Sequence, residues 1–503
     1  MVGVQDHTVK QIGPPALLTS LGLGLRLFHL GSQSYWLDEA ISLGIARADL
    51  ATILTNVAQS SHPPLYYLLL KGWLALGLGG GETTVRLLSA LLSTTAILAV
   101  YALARGLFDK RTALVSAALM AVSPFQVLYA QEARMYGLLA LLTTLTLLTF
   151  VRAWQVNRPG DWFLFAGTAT SCMYTHYFSF LVLGGVGLFA LLDSLASRTW
   201  KRWPGLLLAG AAVALLFVPQ LGLFLNKATN AMGTRWVAPN YLFFFTSLYF
   251  LILSYTIPTW AAAVAMFVSL FVVLLVLWQA IKAVWRLWAA QTLERVRTRQ
   301  ALLLLLSTTV APLLALAVVL VIRPFWVPER TLTIVTPAYA VLLAQELAQA
   351  PRRLPLTALY GLLAVLITMS LGYYYFDLQY AKPPYRDAAA LIAGRARLGD
   401  IEVHTSDGSY LPFLQYPQPV PTYLLRGDPD ARKPDHVYRV LGGQTISREE
   451  ALAQDRRVWL VVALEHSFDY QRETLTWFQI RRPVVEEYDV EGIQVYLLDS
   501  LAP

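Results

Sequence analysis

Long blocks of nearly uninterrupted apolar residues recur along the first three quarters of the chain, and they limit its possible folds more than any other feature. Clear examples are Pro204–Leu225, Ala261–Trp285, Ala301–Ile322 and Leu356–Tyr374. A helix needs about 20 apolar residues to cross the hydrocarbon core of a bilayer. The chain is 56% hydrophobic and 14% charged, whereas soluble domains are about 45–50% apolar and about 25% charged. The sequence therefore predicts a polytopic α-helical membrane protein.

The charges are divided unevenly along the chain. Residues 1–375 carry 25 Lys and Arg against 12 Asp and Glu, whereas residues 376–503 carry 14 against 19. A basic excess beside apolar segments is typical of the positive-inside rule, so it gives no reason to expect a nucleic-acid partner. We divide the chain into a transmembrane domain, 1–375, and a C-terminal soluble domain, 376–503. The single cysteine, Cys172, excludes a disulfide within the chain.

Clusters of Lys and Arg predict which loops face the cytoplasm. With these loops inside, the N-terminus is cytoplasmic and the C-terminal domain is extracytoplasmic. The compact chain favours a bacterial plasma membrane. The predicted number of transmembrane helices is about eleven, near residues 15–31, 84–104, 112–129, 136–153, 162–175, 180–196, 204–224, 259–281, 301–322, 331–350 and 355–375.

Two apolar stretches are predicted not to cross the membrane, namely His62–Gly80 and Tyr241–Tyr255. If the first crossed, the basic residues at 105–111 would lie outside. It also carries Lys71 in its middle beside aromatic residues, a composition that favours the membrane interface. We interpret it as an interfacial or re-entrant helix, and residues 32–83 as one long outer loop on the membrane.

The polar motifs of the transmembrane domain all fall on the outer side in this topology. In "YWLDEA" two carboxylates, Asp38 and Glu39, are adjacent. One interpretation is a general base that deprotonates a hydroxyl nucleophile. The alternative is acidic charge at a helix N-terminus, which the helix dipole favours. Adjacent side chains point in different directions, so only one of the two can reach a given atom.

Two further positions are candidate phosphate contacts. In His62-Pro63-Pro64 the prolines fit a helix start, which would place His62 at a helix N-terminus where anions bind. In "VPERTL" Arg330 is predicted to begin the tenth span, where a cation is disfavoured unless an anion lies beside it. A plain helix start and snorkelling of Arg330 to lipid headgroups are the alternatives.

The remaining outer motifs are "YAQEARMYG" and "YTHYF". Glu132 and Arg134 lie between two spans, where ionisable groups are functional candidates; a surface ion pair is the alternative. His176, between two aromatic residues, is either structural or part of a site. Five residues could supply oxygen and nitrogen ligands for a divalent ion, namely Asp38, Glu39, His62, Glu132 and His176. Their spacing in the sequence follows no compact metal motif.

Four motifs in this order resemble one known family. They are the acidic pair at 38–39, "HPPL" at 62–65, "RLLSALL" at 86–92 and "SPF…QEARMY" at 123–136. Together they resemble the GT-C glycosyltransferases of family 39 type, whose relatives include protein O-mannosyltransferases and lipid A aminoarabinose transferases. The resemblance covers residues 15–180. It is looser at 327–344, where the family often has an Arg-Tyr pair and this chain has Arg330-Thr331.

The resemblance implies the GT-C fold and a polyprenyl-phosphate sugar donor. It implies transfer, with inversion, to an acceptor on the outer side of the membrane. Asp38 matches the catalytic acid and Glu39 its neighbour. The sugar, the metal requirement and the acceptor (glycan, lipid or protein) stay open. The residues predicted to bind substrate are His62, Tyr66, Glu132, Arg134, Tyr136, His176 and Arg330.

The C-terminal domain, residues 376–503, is predicted to be α/β. Residues 385–399 have helical spacing, and 401–405, 458–464 and 493–499 are rich in the β-branched residues typical of strands. The Pro- and aromatic-rich segment Gly408–Leu425 is predicted to be a loop or an edge strand. The domain is either a structural cap or a device for acceptor selection.

Two other classes of function compete with transfer. A lipid-linked sugar transporter or flippase would show internal repeats and polar residues near the midplane, whereas here no repeat is found and the polar motifs gather at one face. A non-catalytic membrane scaffold would tolerate loss of Asp38, Glu132 and Arg330 together.

Overall fold

The computed structural model describes residues 6–56, 62–229, 248–288, 292–322, 329–349, 354–426, 435–453, 456–463 and 473–499. The chain divides into two compact units. The first unit comprises residues 1–28, 61–66 and 87–380, and the second comprises 29–60, 67–86 and 381–503. Most of residues 32–83 therefore belong to the same unit as residues 381–503.

Helices dominate the described residues up to 380. Three 3-10 helices cover Leu248–Leu251, Glu329–Ile334 and Leu378–Tyr380. In chain order the α-helices are α1 Asp6–Leu27, α2 Leu37–Arg47, α3 Leu50–Asn56, α4 Leu65–Leu74, α5 Glu82–Leu107, α6 Lys110–Val122, α7 Pro124–Ala130, α8 Tyr136–Val156, α9 Pro159–Met173, α10 Ser179–Ser197, α11 Trp203–Thr229, α12 Thr259–Arg286, α13 Leu293–Ile322, α14 Thr336–Gln349 and α15 Leu354–Phe376.

The prediction of a polytopic α-helical membrane protein is confirmed. Within the described residues, seven helices are long and apolar enough to cross a membrane, and the bent pair α6–α7 makes an eighth. The seven are α5, α8, α10, α11, α12, α13 and α15. The other three predicted positions are occupied by α1, α9 and α14. Of these, α9 has 15 residues and α14 has 14, which at 1.5 Å per residue is less than the roughly 30 Å of a hydrocarbon core.

The bend between α6 and α7 directs the chain toward the "YAQEARMYG" motif. The two helices meet at 54°. Pro124 lacks the N–H that would continue the α6 hydrogen-bond ladder. Ser123 caps the new helix, since its hydroxyl accepts a hydrogen bond from the Gln126 N–H at 3.3 Å. The new helix ends at Ala130, one residue before the motif's polar turn.

The stretches predicted not to span are only partly described. His62–Gly80 contains α4, a helix of 10 residues, which spans about 15 Å and is too short to cross a bilayer. Most of Tyr241–Tyr255 lies outside the described residues; the 3-10 helix Leu248–Leu251 falls within it.

The prediction that one helix begins at Arg330 is wrong. Residues Glu329–Ile334 form a 3-10 helix, and α14 begins only at Thr336. Pro337 is the second residue of α14, a first-turn position that proline tolerates because its missing N–H would have no partner there. Arg330 therefore lies on a tight turn before the helix. Val327 and Pro328 lie outside the described residues.

The C-terminal part of the second unit is built on a six-stranded sheet of order β3-β2-β1-β4-β6-β5. Strands β1 to β4 are parallel where they pair, and β6 is antiparallel to β4 and β5. The elements are α16 Tyr385–Arg395, β1 Ile401–His404, α17 Asp407–Phe413, β2 Thr422–Leu425, α18 Asp435–Val440, β3 Thr445–Ile446, α19 Arg448–Leu452, β4 Val458–Ala463, α20 Glu473–Gln479, β5 Val484–Val490 and β6 Ile493–Leu498.

The three predicted strands correspond to β1, β4 and β6. The prediction of a loop for Gly408–Leu425 is confirmed for residues 414–421 and wrong for the two ends of the segment. This segment contains most of α17 and all of β2, an internal strand between β1 and β3. Ser406 caps α17 by accepting a hydrogen bond from the Gly408 N–H. Phe413 packs in the core that covers one face of the sheet. Tertiary packing thus outweighs the local prolines.

Candidate functional site

The acidic pair lies in the first turn of α2. Trp36, the N-cap residue, is extended, so Asp38 and Glu39 are the second and third residues of the helix. Negative charge is favourable there because the first turn presents unbonded N–H groups. Asp38 is half-buried, whereas Glu39 is fully buried. The two carboxylates thus occupy different environments.

Glu39 is held by two cations within the second unit. Arg86 donates from Nε to Oε1 and from Nη2 to Oε2, both at 2.8 Å. Lys382 Nζ donates to Oε2 at 3.0 Å. A buried carboxylate is tolerated when charge-assisted hydrogen bonds of this kind replace its hydration. The Glu39 carboxylate is therefore part of a buried ion-pair network within the second unit.

Arg86 also fixes the chain that leads into α2. Its guanidinium donates to the carbonyl oxygens of Leu30, Gln33 and Ser34 at 2.8–3.0 Å. The motif "RLLSALL" contributes to the family resemblance, but the sequence alone predicts no role for Arg86. An arginine in an apolar helix was the available signal, because such a residue requires buried partners.

A second group of predicted residues comes together in the first unit. Arg134 Nη2 lies 3.4 Å from His62 Nδ1, and the rings of His62 and His176 are 5.2 Å apart. Arg134 and Arg330 both lie close enough to His176 to disfavour its charged form. We call His62, Arg134, His176 and Arg330 the cationic cluster.

His176 is neutral in this cluster. The Phe178 N–H donates to His176 Nδ1 at 3.2 Å, so in the neutral tautomer the ring proton lies on Nε2. Burial, followed by the charges of Arg134 and Arg330, lowers the pKa of His176 from 6.5 to about 3. His176 can therefore donate one hydrogen bond from Nε2 without adding a third positive charge.

Neighbouring helices fix the backbone of Arg134. Ser89 Oγ on α5 donates to the Arg134 carbonyl oxygen at 3.1 Å, and Tyr66 Oη lies 2.8 Å from the same Ser89 Oγ. A Cβ at Gly137 would lie 2.6 Å from the Ser89 carbonyl oxygen. Glycine at this position thus lets the start of α8 approach α5 closely. Tyr66, which was predicted to bind substrate, thus supports the Arg134 backbone through Ser89.

The remaining predicted residues of the motif are buried in the same loop. Glu132 is 6% exposed and Tyr136 is 1% exposed. The Tyr136 ring packs edge-on against Tyr129, with 5.0 Å between the ring centroids. Both side chains therefore belong to the protein interior at this end of α8.

Sequence reasoning missed Gln131, the residue that anchors this loop. Its amide nitrogen donates to the carbonyl oxygens of Arg26 and Phe28 at 3.0 and 2.7 Å. Its amide oxygen accepts from the Tyr374 hydroxyl at 2.7 Å. These partners are distant in the sequence, so only the folded chain reveals them.

The five residues considered as metal ligands are divided between the two units: Asp38 and Glu39 in the second, and His62, Glu132 and His176 in the first. Across the described ranges, no group of three or more His, Cys, Asp or Glu side chains could hold a metal ion. The side chains described do not fit a site with several protein ligands, so no step is assigned to a metal.

Residues 61–222, about a third of the chain, match the family described as dolichyl-phosphate-mannose-protein mannosyltransferase. The apo structure of ArnT from Cupriavidus metallidurans is similar with a TM-score of 0.59 at 13% identity, over 96% of this chain and 97% of that chain.

The chain has the GT-C fold. ArnT from the same organism bound to undecaprenyl phosphate is similar with a TM-score of 0.54 at 14% identity, over 96% of this chain and 97% of that one. The oligosaccharyltransferase of Archaeoglobus fulgidus tethered with an acceptor peptide gives 0.55 at 13% identity, over 97% and 74%. No curated protein sequence matches the chain.

The predicted GT-C resemblance is thereby confirmed. The structural matches cover nearly the whole chain, and the family match covers residues 61–222. The apolar helices agree with a multi-pass membrane protein.

Proposed function

We propose that this GT-C protein transfers a sugar from a polyprenyl-phosphate donor to an acceptor hydroxyl on the outer side of the membrane, with inversion at the anomeric carbon. The cationic cluster carries the proposal. Two arginines beside two histidines, one of them neutral, form a group of donors suited to a lipid-linked phosphate.

The cluster would act on the phosphate as it leaves. When the bond between the anomeric carbon and the phosphate oxygen breaks, its electron pair stays on the phosphate, which gains a negative charge. Arg134 and Arg330 stabilise that charge, because fixed cations in a buried site interact strongly with charge that develops there. His176 supplies a neutral N–H donor from Nε2.

Asp38 is the proposed general base. Its carboxylate accepts the proton of the acceptor hydroxyl while the acceptor oxygen attacks the anomeric carbon from the face opposite the phosphate. One carbon–oxygen bond forms and one breaks, and the proton ends on Asp38. Glu39, which is bound by Arg86 and Lys382, has a supporting role in this proposal.

The other predicted residues support the cluster. Tyr66 holds the Arg134 backbone through Ser89, and Glu132 and Tyr136 belong to the buried loop that carries Arg134. Support for a lipid phosphate also comes from the similar fold of ArnT, which has been solved with undecaprenyl phosphate. The acceptor would be a glycan, lipid or protein.

The test is turnover of a donor panel. The purified protein in nanodiscs is incubated with polyprenyl-phosphate sugars and membrane acceptors, and released polyprenyl phosphate is measured. We expect one donor to turn over with the wild type and at least about 100-fold more slowly with Asp38→Asn, since general base catalysis contributes roughly 10²–10⁴-fold. Asp49→Asn, an acid in the same outer loop, is the matched control and keeps full activity.

Two results would overturn the proposal. Full turnover by Asp38→Asn would show that Asp38 is not the general base. Retention of the anomeric configuration in the product would exclude the direct displacement.

A further inference from the structure

The helix that carries Asp38 is held by residues 381–503, the part of the C-terminal domain that belongs to the second unit. Lys382 binds Glu39 on α2. Further along the helix, Arg47 Nη1 donates to Gln415 Oε1 at 2.8 Å. At Gly44 an added Cβ would lie 3.0 Å from Leu441 Cδ2, so helix and domain are in close contact. All these residues belong to the second unit.

The segment before α2 is held by the same domain. The Tyr35 N–H donates to the Tyr416 hydroxyl at 2.8 Å. The Arg386 N–H donates to Ser34 Oγ at 3.1 Å. The extended backbone that leads into the first turn is thus tied to the domain immediately before Asp38.

Lys382 contacts residues on both sides of Asp38. Its Nζ binds the Glu39 carboxylate at 3.0 Å and lies 5.8 Å from the centre of the Trp36 ring. Trp36 is the N-cap residue and Glu39 is the third residue of the helix, so one ammonium group fixes the turn around Asp38. Because Arg86 still binds both Glu39 oxygens, loss of Lys382 would not leave a buried charge without a partner.

We infer that Lys382 is a positioning residue for Asp38, through which the C-terminal domain sets the orientation of the proposed base. This inference rests on the proposed function. It replaces the choice between a cap and an acceptor selector with a third role, in which the domain completes the catalytic geometry. Small displacements of a positioned group cost up to about 100-fold in rate.

The test compares kcat with KM for three variants. Lys382→Met should lower kcat about 10-fold and leave the donor KM within about 2-fold of wild type, because the phosphate-binding residues belong to the other unit. Lys382→Arg retains a cation and should restore most of the rate. Arg395→Gln, a domain residue whose guanidinium stacks 4.8 Å from the Tyr488 ring, is the control and should leave both constants unchanged.

Thermal unfolding of each variant separates positioning from folding. A Lys382→Met variant with wild-type kcat would overturn the inference, and so would a loss of rate that Lys382→Arg does not restore. An equal loss of kcat in Arg395→Gln would show a general effect of the domain and would also overturn it. If Asp38→Asn were active, the proposed base would fail instead; if Asp38→Asn is inactive while Lys382→Met is normal, only this inference fails.

Discussion

Buried charge gives single residues in this chain their roles. Glu39 and Asp38 are adjacent, yet Glu39 is enclosed by Arg86 and Lys382 whereas Asp38 is half-buried. In the first unit, burial and two arginines keep His176 neutral. Burial and neighbouring charges therefore distinguish the carboxylate of a structural ion pair from the proposed base, and they keep a histidine neutral.

The lowered pKa of His176 predicts how the stability of the protein depends on pH. Its folded pKa of about 3 lies below the ordinary 6.5, so the unfolded chain binds a proton that the folded chain does not. Stability is then complete above pH 6.5 and falls as the pH drops toward 3. At pH 5 the free energy of unfolding should be about 2 kcal/mol lower than at pH 7.5 on account of this residue.

The measurement is thermal unfolding of wild type and His176→Asn between pH 7.5 and 5. The variant should lose less stability than the wild type over this range. Identical pH dependence of the two proteins would contradict the assignment of a neutral buried histidine.

At the level of secondary-structure elements, the close packing of α5 and α8 positions the cationic cluster. The start of α8 lies against α5 at Gly137, and Ser89 on α5 holds the Arg134 carbonyl. The distance between these helices therefore sets the position of Arg134.

Gly137→Ala should force α5 and α8 apart. The new Cβ would lie 2.6 Å from the Ser89 carbonyl oxygen, and overpacking of this kind costs about 1–3 kcal/mol. We expect a lower melting temperature and a higher donor KM. Gly167→Ala on α9 meets nothing within 4 Å and should be neutral or stabilising, because alanine is the better helix former. Equal behaviour of both variants would contradict the packing argument.

The helices could be predicted because their apolar segments are long. The irregular and short elements between the long helices could not be predicted. The eleven predicted positions all coincide with helices or a bent pair, because each pattern is local and strong. The 3-10 turn at Glu329–Ile334 and helix α17 were missed. For α17, Phe413 packs in the core of the sheet, a contact that no local pattern predicts.

The candidate site, too, could be predicted only in part from the sequence. Ionisable residues in apolar surroundings, such as Arg134 and His176, could be found from sequence alone. Their supports could not: Lys382 is 343 positions from Glu39, and Tyr374 is 243 from Gln131. Such pairings follow from the tertiary fold.

At the scale of the whole molecule, the distribution of charge along the chain predicts how it is oriented in the membrane. Clusters of Lys and Arg within residues 1–375 predict that the basic loops face the cytoplasm and that the C-terminal domain is outside. The single native cysteine, Cys172, is buried, so engineered cysteines can report the two sides.

Leu398 in the C-terminal domain and Trp200 in a basic loop are both exposed. In intact cells, a membrane-impermeant maleimide should label the Leu398→Cys variant and not the Trp200→Cys variant, while both should react after the cells are opened. Labelling of Trp200→Cys alone in intact cells would reverse the predicted topology.

The most direct test of the central claim is the affinity of the cationic cluster for a polyprenyl phosphate. Equilibrium binding in nanodiscs would be measured for wild type and for an Arg134→Gln, Arg330→Gln double variant. The control is an Arg105→Gln, Arg152→Gln double variant at exposed positions. Hydrogen bonds to charged groups contribute about 1.5–3 kcal/mol each, so we expect the double variant to bind at least about 100-fold more weakly, with the control unchanged. Affinity within about 3-fold of wild type would contradict the claim that these arginines hold the donor phosphate.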